Sequence, residues 1–278
     1  MNSKQWEVFK TFRETFRAKC EEWNEKYSSI LLPLQKEAAD NDKTPDYPHE
    51  NAIVYNTALD ELTQDSVIKY IVIGDNPGKD EQLNANRRYL VGQAGKLGNR
   101  FFTIAKCFNT DFRKNVIILN KTPIHSAKTK QLKYISKKGG KELAGFILET
   151  QKWMAEQTAM LHITLSMAAG TDSVAPEIWL VGYSELKNNG IFNPYKEALK
   201  EPYTRDTKSI EYWTDVYVFQ HFSMNRFTVD LNEFMQKHSS MPLPIALHAL
   251  GHMHKGEIFS TDKYSKKEFV KREFSEEK

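Results

Sequence analysis

Three short polar runs in this chain hold residue types that can do chemistry together. They are Gly74-Asp75-Asn76-Pro77-Gly78, Asn120-Lys121-Thr122-Pro123 and His221-Phe222-Ser223-Met224-Asn225-Arg226. A carboxylate accepts hydrogen bonds from water, a carboxamide offers an acceptor and donors, and an imidazole offers one of each near neutral pH. Gathered in one pocket, such a set can hydrogen-bond a polar ligand and position water. Each run alone has a plainer reading. Asp75 and Asn76 can be turn formers before Pro77, Asn120 can cap the turn or helix after its strand, and His221 can be an ordinary hydrogen-bonded histidine. The first run is not a phosphate-cradling P-loop, because it is one residue short and places Asp80 where Ser or Thr must reach magnesium. Nor does it carry the three glycines of the dinucleotide fingerprint.

The runs share a pocket only if each ends a strand of one parallel sheet, because ligands of open α/β sheets sit outside the carboxyl ends of the strands. The sequence supports that placement. Val67–Ile73 is a short β-branched run stopped by Gly74, Val116–Leu119 precedes Asn120, Ile178–Gly182 is apolar and closed by glycine, and Asp215–Gln220 precedes His221. Helical patterns at Gly95–Cys107 and Glu142–Met160 separate the strands, and another is expected at Phe227–Lys237. Strand, helix, strand implies an α/β fold with a parallel sheet. Trp6, Phe9, Phe12, Phe16, Cys20 and Trp23 recur at spacings of three and four, the signature of a core-packing N-terminal helix. Ala38–Pro48 reads as a surface loop. With no internal repeat and no low-complexity linker, the chain reads as a single domain, 1–278, with an N-terminal helical extension (about 1–50) and a charged C-terminal tail (about 263–278).

Composition narrows the possibilities further. With 40% hydrophobic and 12% aromatic residues, the chain can build a sizeable core. Its apolar runs fall well short of the roughly 18 residues of a membrane span. The N-terminus lacks the uninterrupted apolar segment of a secretory signal, which points to the cytoplasm. Cys20 and Cys107 are the only cysteines, too few for a disulfide framework or a four-cysteine metal cluster. His248, His252 and His254 invite a metal reading, but Gly251 weakens the helix that would align them and no acidic residue completes the run. A near-C-terminal turn is expected there, and no metal. The net charge of +3 is uninformative, yet residues 111–141 hold nine Lys or Arg against one acidic residue. That stretch suits either a phosphate-bearing partner or a solvated loop.

The motifs in their order resemble the uracil-DNA glycosylase superfamily. Gly74-Asp75-Asn76-Pro77-Gly78, then Asp80-Glu81-Gln82 and Val91-Gly92-Gln93-Ala94-Gly95-Lys96-Leu97, is similar to the first motif of that family's bacterial iron–sulfur branch. It is also similar to the G-x-N-P-G loop of the mismatch-specific and single-strand-selective branches. Val116-Ile117-Ile118-Leu119-Asn120 resembles the strand ending in the base-reading asparagine, and His221-Phe222-Ser223 resembles the terminal H-P-S motif. The resemblance, over roughly residues 67–226, implies a three-layer α/β/α fold with a central, roughly four-stranded parallel sheet. It also implies hydrolysis of the N-glycosidic bond of uracil or a related deaminated base flipped out of DNA. Asn120 would then read O4 and N3–H, His221 would hydrogen-bond O2 of the departing base, and Asp75 or Asn76 would orient water. Gly74, Gly78, Tyr89 and Leu90 would border the base. Lys121, Lys128, Lys130, Lys133, Ser223, Met224, Asn225 and Arg226 would meet DNA. The sequence departs from the family at several places. Leu90 stands where a base-stacking phenylalanine is usual, unless Tyr89 turns in, and Phe222 replaces the proline of the last motif. Gly78 occupies the position of a methyl-excluding tyrosine in the major uracil branch, and the cluster-binding cysteines are missing, which excludes an iron–sulfur cofactor. No cofactor is expected. Two other functions remain open: a catalytically silent nucleic-acid or nucleobase binder, and a hydrolase of free nucleosides or nucleotides.

Overall fold

A computed structural model describes residues 1–187 and 190–259; the tail expected at about 263–278 lies outside them. Four short strands, β1 (Tyr70–Gly74), β2 (Val116–Asn120), β3 (Glu177–Val181) and β4 (Val216–Phe219), form one all-parallel sheet in the order β2-β1-β3-β4. They are almost wholly buried, as strands covered on both faces must be. The fold is three-layer α/β/α. The strands fall where the apolar runs placed them, except that β1 starts at Tyr70 rather than Val67, which is exposed.

One layer holds α1 (Ser3–Asn41), α3 (Gln131–Lys138), α4 (Gly140–Ala169) and α5 (Asn193–Lys200). The apolar stripe of α1 continues past Trp23 through Tyr27 and Leu31, and it packs on α4 by aromatic contacts, with Tyr27 stacked on Phe146 at 3.8 Å. The helix also runs through Ala38 and Ala39, both buried, so the expected surface loop starts four residues later, after Asn41. α4 crosses from the end of β2 to the start of β3. Its Thr150 hydroxyl bonds that of Thr122 beyond β2, and its His162 bonds the Pro176 carbonyl before β3.

On the opposite face Trp179 of β3 packs against Phe102 of α2 (Gln93–Ile104) and Phe227 of α6 (Arg226–Lys237). Tyr217 of β4 packs against His248 and His252 of α7 (Leu243–Phe259). The turn expected around the three histidines is therefore a helix. Gly251 lies where α7 meets β4, and a Cβ there would come within 2.8 Å of Phe219 and Tyr217. The close packing that glycine permits offsets its helix penalty of about 1 kcal/mol. His248 bonds Glu177, and His254 bonds the Val218 carbonyl near Asp230; no group of three or more metal ligands occurs among the described residues. Among these residues no helix is long and apolar enough to cross a membrane.

Candidate active site

All four strands end at the same edge, and the winding direction reverses between β1 and β3, the place where open α/β sheets form a crevice. A cleft of about 890 Å³ opens there, lined by the loops that follow all four strands. Gly74, expected to border a base, is buried beneath the cleft rather than lining it, and is paired in register with Asn120. A Cβ on Gly74 would stand 2.5 Å from Asn120 Oδ1, so glycine is what lets the amide lie against β1. Asn120 is 1% exposed, lines the cleft, and has no hydrogen-bond partner for Nδ2. An unpaired buried donor costs about 1–3 kcal/mol; other unpaired polar atoms occur in the interior, at Gln151 and Tyr195 for example, but that of Asn120 belongs to a residue lining the cleft, where a ligand or water can meet it.

Asp75 lies beside this amide. Its Oδ1 accepts from the ammonium of Lys121 at 2.6 Å, and Oδ2 accepts from the Thr129 hydroxyl at 3.4 Å. Lys121 is 0% exposed and also donates to the carbonyls of Val181 (2.5 Å) and Gly74 (3.3 Å). Burial pushes the Lys121 ammonium down from its usual range, and the Asp75 carboxylate opposes that push. Gly182, with φ of +97°, closes the arrangement, since any side chain there would overlap Asp75 Oδ1 and crowd Lys121 Nζ. Asn76 is anchored differently. Its Nδ2 donates to the carbonyl and hydroxyl of Ser126, while its Oδ1 accepts from the same Thr129 hydroxyl that touches Asp75. One acceptor of each residue therefore borders the space around Thr129 Oγ1.

His221 enters from the end of β4. The backbone N–H of Ser223 points at His221 Nδ1 from 3.1 Å, and the Ser223 hydroxyl stands 2.7 Å from the same nitrogen; with Nδ1 accepting from both, the proton of the neutral ring is assigned to Nε2. Burial pushes the imidazole below its usual value, while the negative Asp75 pulls it up. Phe222 is a core residue packed on Phe227 and Phe112, and it anchors the histidine loop from below. Past it the chain turns outward. Met224 and Asn225 adopt left-handed backbone (φ 53° and 56°), and Met224 is 81% exposed at the lip beside Arg226. Asn225 is exposed as well but does not line the cleft.

The remaining wall corrects two expectations. Tyr89 does not turn in: it is 0% exposed, its hydroxyl donates to the Val54 carbonyl, and its N–H donates to Asn56. Leu90 lines the cleft instead, with φ of +53° held by Arg113, whose guanidinium bonds the carbonyls of Tyr89 and Leu90. Gly78 also lines it, and nothing lies within 4 Å of where its Cβ would be. Lys121 is the second correction. Fully buried on Asp75, it is out of reach of any phosphate. The basic stretch is in fact dispersed. Lys128 (2.7 Å) and Lys130 pair with Asp42 at the end of α1, Lys138 pairs with Glu37, and the exposed Lys133 lies on α3 outside the cleft.

Sequence reasoning assigned no role to Glu81, Thr129, Ser126 or Gly182. Glu81 is buried, lines the cleft and accepts from the Gly78 N–H at 3.1 Å; burial pushes its carboxyl up to about 7. Its neighbour Gln82 is buried too and ties the loop to Pro48, Glu50 and Asn51, so the segment after β1 is fixed along its length. Comparison of the chain with family models, curated proteins and solved structures gives no match to any of them.

Proposed function

We propose that this chain is a DNA glycosylase of the uracil-DNA glycosylase kind, hydrolysing the N-glycosidic bond of uracil or a related deaminated base flipped out of DNA. The observation that carries this reading is the pair of neutral donors in one crevice: the unpaired Asn120 Nδ2 and the Nε2–H of His221. Uracil offers them O4 and O2. As the bond from C1′ to N1 breaks, its electron pair goes to the base, and a donor placed for that charge lowers the barrier. Water held by Asp75 Oδ2 and Asn76 Oδ1 attacks C1′. Of these two side chains only the Asp75 carboxylate can take the water's proton, because an amide has no basic site in this range. The reading requires no cofactor, takes DNA as partner, and places the protein in the cytoplasm.

Labelled oligonucleotides carrying uracil, hypoxanthine, xanthine or a G·T mismatch, followed by alkaline cleavage of abasic sites, test it. Cleavage at uracil is the expected result. Asn120→Asp exchanges a donor–acceptor amide for an acceptor-only carboxylate, so uracil loses its contact at O4 while the cytosine amino group gains one. Discrimination between the two should fall by roughly 1–3 kcal/mol. Leu90 supports a second reading, since an aliphatic wall gives weaker base stacking than the phenylalanine usual there. Should saturating protein bind DNA yet leave every base intact, the silent-binder function replaces the glycosylase.

A further inference from the structure

We infer that Lys121 is a positioning residue of the cleft: it fixes the Asp75 carboxylate against the sheet edge and shields the His221 imidazole from that carboxylate's charge. The inference rests on the glycosylase reading only for its catalytic consequence. The geometry is specific. A lysine with no exposed surface directs Nζ to three acceptors, Asp75 Oδ1 and the carbonyls of Val181 and Gly74, so it bridges the ends of β1 and β3 at the crevice. Its ammonium also stands 5.1 Å from the centre of the Phe192 ring. With one Asp75 oxygen held by Lys121, the other is left toward Thr129 and the cleft. Gly182 lacks the side chain that would break the pair.

The shielding matters because a second proton on His221 would disturb its contacts. It would go to Nδ1, where the bond from the Ser223 N–H at 3.1 Å would be lost and the Ser223 hydroxyl at 2.7 Å would have to turn from donor to acceptor. An anion near the ring favours protonation and a cation opposes it, and both act here: Asp75 from the loop after β1 and Lys121 from the end of β2. Of the other charged groups, Glu185 after β3 acts on Lys121, while Lys79, Asp80 and Glu81 after β1, Lys128 after β2 and Arg226 after β4 share the cleft. Lys121 thus lets a carboxylate and a neutral donor coexist in one small space.

The test follows the His221 ring by NMR against pH in the full chain, its Cε1–H signal identified by its loss in His221→Asn. Lys121→Met should raise the His221 midpoint by about 1 pH unit, because Asp75 then acts unopposed. Asp75→Asn should lower it, and the double variant should return toward wild type. An unchanged or lowered midpoint in Lys121→Met overturns the inference, as does movement of both single variants in the same direction. Should Lys121→Met fail to fold, an unmoved midpoint in Asp75→Asn alone overturns it. If the wild type cleaves uracil, the acid limb of its kcat/KM profile should move up in Lys121→Met. Expected NMR shifts in a protein that cleaves no base would retire the glycosylase reading and leave the positioning role standing; cleavage with unmoved shifts would do the reverse.

Discussion

The floor of the cleft and its lip are built on opposite principles. On the floor, Asp75, Asn76 and His221 each have a fixed partner in Lys121, Ser126 and Ser223, and all three line the same cleft. At the lip, Met224 is 81% exposed on a left-handed backbone, and the lysines nearby are held on the surface by Asp42. A rigid floor stabilises a reaction by holding dipoles where charge develops without reorganisation. An exposed apolar lip cannot do that, but it can enter a space opened in a partner. The two should therefore fail differently when altered: the floor in turnover and pH response, the lip in the choice of substrate.

The largest effect belongs to the floor. His221→Ala removes the Nε2–H donor, and turnover should drop by about two to three orders of magnitude while DNA affinity changes little, measured as single-turnover rate against binding. In the wild type burial holds the imidazole below its usual value, so the neutral donor form should persist to lower pH than in an exposed histidine, and the acid limb of activity should be displaced downward accordingly. An equal loss of binding and rate in His221→Ala would merge floor and lip into one binding surface.

Glu81 sharpens the contrast from the side of stability. Its carboxyl is raised in the folded protein to about 7 from an ordinary value of 4.5. The raised value means that the fold favours the protonated form. The stabilisation is complete below about pH 4.5 and is lost as pH rises through about 7. Glu81→Gln keeps an acceptor for the Gly78 N–H and cannot ionise. Relative to wild type it should gain about 1–3 kcal/mol between pH 5 and 8, read from denaturant unfolding at each pH. Parallel pH curves for the two proteins would show that Glu81 ionises freely and that the wall beside Gly78 is wet.

These roles were unevenly legible in the sequence. The strands and the three polar runs could be read because β-branched segments stopped by Gly74, Asn120 and His221 announce both the sheet and the edge at which the cleft opens. Lys121 could not be read. A lysine carries no mark of burial in its own sequence, its carboxylate partner lies 46 residues away, and its basic neighbours suggested a surface. The same holds for Glu81 in a polar loop and for Tyr89, whose hydroxyl finds a carbonyl 35 residues back. Gly251 misled for the converse reason. Its local helix penalty was visible, whereas the contact with Phe219 and Tyr217 that offsets it is tertiary.

At the lip, Met224→Ala together with Arg226→Ala should impair duplex substrates far more than single-stranded ones. Extruding a base from a duplex costs a few kcal/mol of stacking, and an inserted apolar or long side chain recovers part of it. A single strand needs no such wedge. Excision rates on matched uracil-containing strands, single and annealed, give the comparison, and equal losses on both would take the wedge away from this loop.

The smallest effect concerns the charged part of the lip, and it decides whether Lys128 and Lys130 serve DNA at all. Both ammoniums contact Asp42, whose carboxyl they draw down to about 2, so a phosphate must compete with a carboxylate already in place. The side chains of Lys128 and Lys130 are about half exposed or more, and pairs of that kind are weak and screened by salt. If phosphate is the competitor, Asp42→Asn should tighten DNA binding about two- to fivefold at low salt and steepen the fall of affinity with salt, because each lysine released to a phosphate displaces about 0.9 counterion. Lys128→Ala with Lys130→Ala should do the opposite, lowering affinity at every sequence and flattening the salt dependence. If instead Asp42→Asn weakens binding, the carboxylate is holding the lysines in a useful place, and the lip is preorganised like the floor. If neither change alters the salt dependence, these lysines do no more than fasten the loop to α1, and phosphate contacts must come from Arg226 and the rest of the cleft edge.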